Sequence, residues 1–248
     1  MKKLKSRFPT STVVDYFRKI DSINKEAYKL VDNEIKVMLE DDIKEDSIFD
    51  LKVVLAKLTE LGKQIEKLYP LSIIKALVMN ASTDVTNRAK LKVKEEVKSF
   101  IKADLRRKDV QVKQIMKASI ATNVSYIKSI PTQYHRRLID IITKAKTKED
   151  IIKEIEKLKL ITSNRTKLIA NDQLGKLFAS IVEEEHRCRG LITFVWRTQR
   201  DEKVRASHVP LDGRIGSWAN GIQGKFPGTE VNCRCEALVN EDELRGGE

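Results

Sequence analysis

A chain of 248 residues with 41% hydrophobic and 34% charged side chains can bury one or two sizeable cores, which excludes a chain that stays unfolded. Its formal charge of +12 is unevenly placed: residues 161–248 carry 13 basic and 13 acidic side chains, so the whole excess lies in residues 1–160. A field of that sign favours a polyanion such as nucleic acid or an anionic membrane surface, and equally serves solubility. The basic start, "MKKLKSRFPTSTVVDYF", is followed by no signal-peptide core, and no apolar run approaches the roughly 18 residues of a membrane span. The expectation is a soluble protein made in a cytoplasm, with no membrane partner. Three cysteines without a secretory segment argue against a disulfide framework.

From Thr12 to about Leu160 the pattern is helical. Ser47 to Asp50 has capping-box form, and Val54, Leu58, Leu61, Ile65 and Leu68 follow at spacings of four and three, one apolar stripe on one face. Pro70 ends this helix or starts the next. Residues 88–117 then set eleven basic side chains against four acidic ones. On a single helix Lys94, Lys98 and Lys102 repeat every four residues, with Lys90 one turn earlier and Arg106 one turn later. Such a row follows phosphates without reading bases, because Phe100 is the only aromatic residue for stacking. A solvated helix face is the plainer alternative.

A second organisation begins near Asn123. Pro131 is predicted to open a helix, Thr147 to Asp150 form a capping box, and a third helix is predicted after Thr162. Ile151, Ile152, Ile155 and Leu158 give the middle helix its buried side. After Gly190, "LITFVWRT" reads as a strand, a turn-rich stretch follows, and "NCRCEALV" reads as a second short strand. The expected fold is α+β: a predominantly helical, basic region over 1–122 and a helices-plus-small-sheet domain over 123–248.

The pair Cys233 and Cys235 admits four readings: metal site, disulfide, nucleophile or buried thiols. In a strand both side chains share a face, which suits two corners of a tetrahedral zinc site, with His208 as third ligand and Asp201, Asp212 or water as fourth. Against metal, cysteine is commonly buried as a small apolar residue, and the sequence favours that packing reading, with no cofactor and zinc as its alternative. Cys188 beside His186 offers no better spacing. A thiol nucleophile requires an orienting third group and an oxyanion hole, and neither is identifiable, so the chain reads as non-enzymatic. "GIQGKF" lacks the glycine spacing and the Ser or Thr of a P-loop, which excludes that mode of nucleotide binding. Trp196 and Trp218 read as packing anchors, with Trp218 alternatively a partner contact.

Four segments in order, "SIPTQYHRRL", "RTKLIANDQ", "FVWRTQRDEKVRASHVPLDG" and "PGTEVNCRC", resemble the phage Mu F-like minor head proteins, the head morphogenesis proteins of tailed bacteriophages. The resemblance covers about residues 123–240. It implies a structural protein of capsid assembly, located in the virion interior and in the host cytoplasm during assembly. It further implies association with the portal protein and in some cases with packaged double-stranded DNA, scaffold or coat protein being further partners. The competing reading is a free-standing, sequence-independent DNA-binding protein with a small metal-stabilised terminal module.

Overall fold

A computed structural model of the chain describes residues 8–41, 51–98 and 110–245. Five long helices lead into a small sheet: α1 Thr10–Asp41, α2 Leu51–Lys67, α3 Leu71–Val97, α4 Val110–Lys144, α5 Lys148–Arg187, β1 Thr193–Arg197, β2 Ile215–Ser217, β3 Glu236–Leu238 and a final turn of helix, α6 Glu241–Arg245. Of the described residues 72% are helical, and the class is α+β, as the sequence indicates.

Local signals place several boundaries. Pro70 lies between α2 and α3, and its carbonyl accepts the Ile74 N–H at 3.1 Å, so it caps the helix it cannot join from within. Thr147 caps α5, its hydroxyl accepting the Asp150 N–H at 3.1 Å. The capping box predicted at Ser47 to Asp50 lies outside the described residues.

Two predicted starts are not starts. Pro131 lies inside α4, where Ile127, Ile130, Tyr134 and Leu138 are all buried. Packing on both sides of the proline carries the helix across its missing N–H. Thr162 lies inside α5, its hydroxyl donating back to the Leu158 carbonyl at 2.8 Å, which satisfies it without ending the ladder. Ile151, Ile155 and Leu158 are buried as predicted, whereas Ile152 is 53% exposed.

By packing, the chain gathers into two compact units drawn from separated stretches, a partition distinct from division by sequence order. One holds Asp15–Val78 and Thr122–Ile169. Its core includes Val54, Leu58, Leu61 and Ile65 of the predicted stripe, with Leu68 half-buried, so the stripe is committed to intramolecular packing. Several buried polar groups inside this unit are paired with one another. Tyr69 donates to Asn24 Oδ1 at 2.5 Å, Asn24 Nδ2 donates to Thr166 Oγ1 at 2.9 Å, and Tyr16 donates to Asn123 Oδ1 at 3.0 Å.

The other unit comprises Met1–Val14, Met79–Ala121 and Ala170–Glu248. Its antiparallel sheet has the order β2-β1-β3, pairing Phe194 with Gly216 and Trp196 with Ala237. Alternation along β1 buries Phe194 and Trp196 together on one face. β2 falls in the stretch read from sequence as turns. It forms where Gly216 lets the Phe194 ring and Ile222 approach: a Cβ there would sit 2.6 Å from each. Trp218 is 4% exposed, tilted against Phe194 at 4.5 Å and stacked on Phe226 at 6.4 Å, so it is a packing anchor and not a surface contact.

Candidate metal centre

His208 precedes a 3-10 turn, Val209–Leu211, and is 2% exposed. Its own N–H donates to the Arg205 carbonyl at 2.8 Å and its carbonyl accepts from Leu211 at 3.0 Å, which fixes the backbone on both sides. Trp196 of β1 meets the imidazole edge-on at 5.4 Å.

The cysteines arrive from another loop. Asn232, at φ 56°, turns the chain, and its N–H donates to Asp172 Oδ1 of α5 at 3.1 Å. The Cys233 N–H closes the turn on the Glu230 carbonyl at 3.0 Å. The predicted strand begins only at Glu236, because the Arg234 carbonyl accepts from the Gln199 side chain at 2.6 Å. Cys233 and Cys235 nonetheless project to one side, while Arg234 turns outward to Asp201 at 2.8 Å. Gly228, at φ 80°, is needed beneath them: a Cβ would stand 2.7 Å from the Ala179 Cβ and 3.2 Å from the Cys235 carbonyl.

Both sulfurs lie 3.6 Å from the same atom, His208 Nδ1. The three ligand-type atoms are within 4.8 Å of one another, and all three residues are buried. On the far side of the ring, Nε2 lies 3.3 Å from Glu230 Oε2, near enough for electrostatic pairing but without hydrogen-bond alignment. Arg205 in turn pairs with Glu230 at 2.5 Å. The Glu230 carboxyl is held below its usual range by His208 first and by Arg205 among the other nearby cations.

The two thiols are strongly unequal. Cys235 and the backbone N–H groups of Cys235 and Gly228 favour the thiolate of Cys233, against its burial, whereas that neighbour and burial together push Cys235 up. The Trp196 side chain partly opposes the rise at Cys235. A cavity of about 150 Å³ opens beside the cluster, lined also by Gln199, Lys203, Asn232 and Arg234.

Of the ligands predicted from sequence, the structure brings together His208, Cys233 and Cys235, and it leaves Asp201 and Asp212 out of the cluster. Asp201 is engaged by Arg234, which holds its carboxyl low. Asp212 accepts from the Thr198 N–H at 2.8 Å and from Arg200 at 2.8 Å, which together outweigh the burial that would raise it. Sequence reasoning missed Glu230. Its signal was position, a carboxylate three residues before the first cysteine. His186, fully buried and edge-on to Trp218 at 5.5 Å, is held neutral by burial first and then by Lys92 and Arg189. Cys188 is exposed.

The candidate phosphate-following row is partly described. α3 ends at Val97, the Lys98 N–H making a last bond to the Lys94 carbonyl at 3.0 Å. Lys94 and Lys98 are exposed and Lys90 is half-buried, whereas Lys102 and Arg106 lie outside the described residues. Lys92, counted with this basic stretch in the sequence, is 1% exposed. Among the described residues no helix is long and apolar enough to cross a membrane.

No solved structure matches the chain. An uncharacterized protein of Haemophilus influenzae (strain ATCC 51907 / DSM 11121 / KW20 / Rd) is 32% identical over 134 residues, which is 52% of this chain and 30% of that protein. The chain therefore covers less than a third of that relative's length. Residues 132–238 match the family described as Phage Mu protein F like protein, a family of phage head morphogenesis. The matched stretch contains all three strands and the whole Cys/His cluster, and over it the chain is similar to the phage Mu F-like family.

Proposed function

We propose that this protein is a structural minor head protein of a tailed bacteriophage, placed in the capsid interior, held by the portal or its surroundings and in contact with packaged DNA. The observation that carries this reading is the family match over 132–238. The protein acts through binding surfaces rather than turnover. With the α2 stripe and Trp218 buried, the portal contact is assigned to α5, where Leu160, Ile161 and Leu168 are 64%, 47% and 44% exposed. Ile161 and Leu168 stand seven residues apart on one face, with Leu160 beside them. Exposed aliphatic clusters of this kind anchor interfaces.

The test is mass spectrometry of purified virions and procapsids, joined to co-expression with the portal and a pull-down. The protein is expected in a few copies per head, and Leu160→Gln with Leu168→Gln is expected to reduce portal recovery. Absence from both virions and procapsids would sink the assignment and leave the free DNA-binding protein in its place.

DNA binding makes a separate prediction. The triple variant Lys94→Gln, Lys98→Gln, Lys102→Gln should bind duplex DNA more weakly. The slope of log K against log salt should shrink by about 0.9 for every phosphate that the variant no longer neutralises. Binding isotherms at several salt concentrations measure both quantities, and an unchanged slope removes this face from the reading.

A further inference from the structure

We propose that His208 Nδ1 and the thiolates of Cys233 and Cys235 bind one zinc ion, with water in the fourth position. This inference is independent of the head assignment. Zinc with Zn–S of about 2.3 Å and Zn–N of about 2.05 Å in a tetrahedron has S···N edges of about 3.6 Å. Both S···N distances in the structure are 3.6 Å.

A neutral imidazole nitrogen has one lone pair, so His208 itself serves one thiol at most, yet two sulfurs stand at equal distance from Nδ1. A single ion placed among the three atoms is shared by all of them. The rest of the ring agrees: Glu230 Oε2 at 3.3 Å from Nε2 favours the tautomer with the proton on Nε2, leaving Nδ1 free to ligate. A carboxylate behind a ligating histidine is the usual outer partner of zinc. Both sulfurs ligate as thiolates, any thiol proton still held being released to solvent on loading, and the two thiolates then neutralise the dication.

The fourth corner falls to the adjoining cavity of about 150 Å³. It is roomy enough for a water, and Gln199 and Asn232 among its lining residues supply polar partners. The nearest carboxylates named from sequence, Asp201 and Asp212, are committed to Arg234 and to Arg200. The ion's role here is to join two loops that carry few strand bonds of their own, the one around His208 and the one from Glu230 to Cys235.

Protein purified without metal-affinity steps and dialysed against metal-free buffer should retain one zinc per chain by elemental analysis. Replacing zinc with cobalt should give the ultraviolet thiolate-to-cobalt charge-transfer bands and intense visible bands of a tetrahedral site. Cys233→Ser and His208→Asn should lose the zinc and the chelator-dependent drop in melting temperature, while Cys188→Ser keeps both. Because the ligand variants can misfold, the unmodified protein also supplies a test: zinc should protect two of its three thiols from alkylation. A folded wild-type chain that takes up neither zinc nor cobalt, or that yields Cys233 and Cys235 as a disulfide, overturns the proposal.

Discussion

Replacing Glu96 by alanine is expected to destabilise the unit that carries the sheet by about 3–5 kcal/mol, the range for breaking a buried ion pair from one side. The Lys92 side chain is 1% exposed, and its Nζ lies 2.8 Å from Glu96 Oε1 and donates to the Ala237 carbonyl of β3 at 2.6 Å. The other Glu96 oxygen accepts the Val239 N–H at 3.1 Å. Alanine therefore strands a buried ammonium and a strand-end N–H at once. Lys92→Met keeps the packing of the stem and removes the charge that needs a partner. The pair Lys92→Met with Glu96→Gln should accordingly recover part of the loss seen in Glu96→Ala. Urea unfolding at constant m-value measures this series. A loss below about 1 kcal/mol in Glu96→Ala would mean that Lys92 reaches water, contrary to its burial.

Alkaline pH should unfold the other unit steeply. Tyr16, Tyr69 and Tyr134 are 2%, 3% and 3% exposed, and burial raises each hydroxyl above its ordinary range. The Asn123 hydrogen bond offsets this in part at Tyr16, while Tyr28 and nearby carboxylates add to it at Tyr69 and Tyr134. The folded chain thus holds protons that the unfolded chain releases near pH 10. Stability is complete below that pH and is lost above it, at about 1.4 kcal/mol per pH unit for every such tyrosine. Three acting together remove about 4 kcal/mol per unit, so a domain of ordinary stability unfolds within roughly two units above pH 10. Tyrosinate absorbance and the loss of helical circular dichroism should rise in one coincident step. Tyr69→Phe should make that step shallower. Tyrosinate forming gradually while the helices persist would refute the account.

The contrast between what was legible in the sequence and what was not has physical causes. Periodicity located the α2 stripe, Thr147 announced α5, and alternation marked β1, because each of these is decided by neighbours in sequence. Pro131 and Thr162 misled because tertiary burial overrides local breakers, which a window along the chain cannot see. Lys92 read as one more surface lysine; its partners are Glu96, one turn on, and a carbonyl in β3 that sequence cannot place beside it. At the site, the spacing of Cys233 and Cys235 together with His208 was enough to pick the three residues that meet. The strand argument that joined them was not the reason they meet, since both cysteines precede β3. Glu230 was invisible because a turn, not a periodic element, brings its side chain back to the ring.

The discontinuous make-up of the sheet-bearing unit sets an order of assembly during translation. Phe8 packs edge-on against Phe178 at 6.1 Å, in the half of α5 that also carries Gly175 against the same ring. At ribosomal speeds of about 5–20 residues per second, the early segment waits roughly 10–30 s for that surface to exist. Meanwhile the stretches Asp15–Val78 and Thr122–Ile169 have everything their own core requires as soon as residue 169 has emerged. The thiol-bearing loop is made after the five long helices described. Its cysteines therefore meet His208 on a nascent polypeptide whose helical core can already have folded.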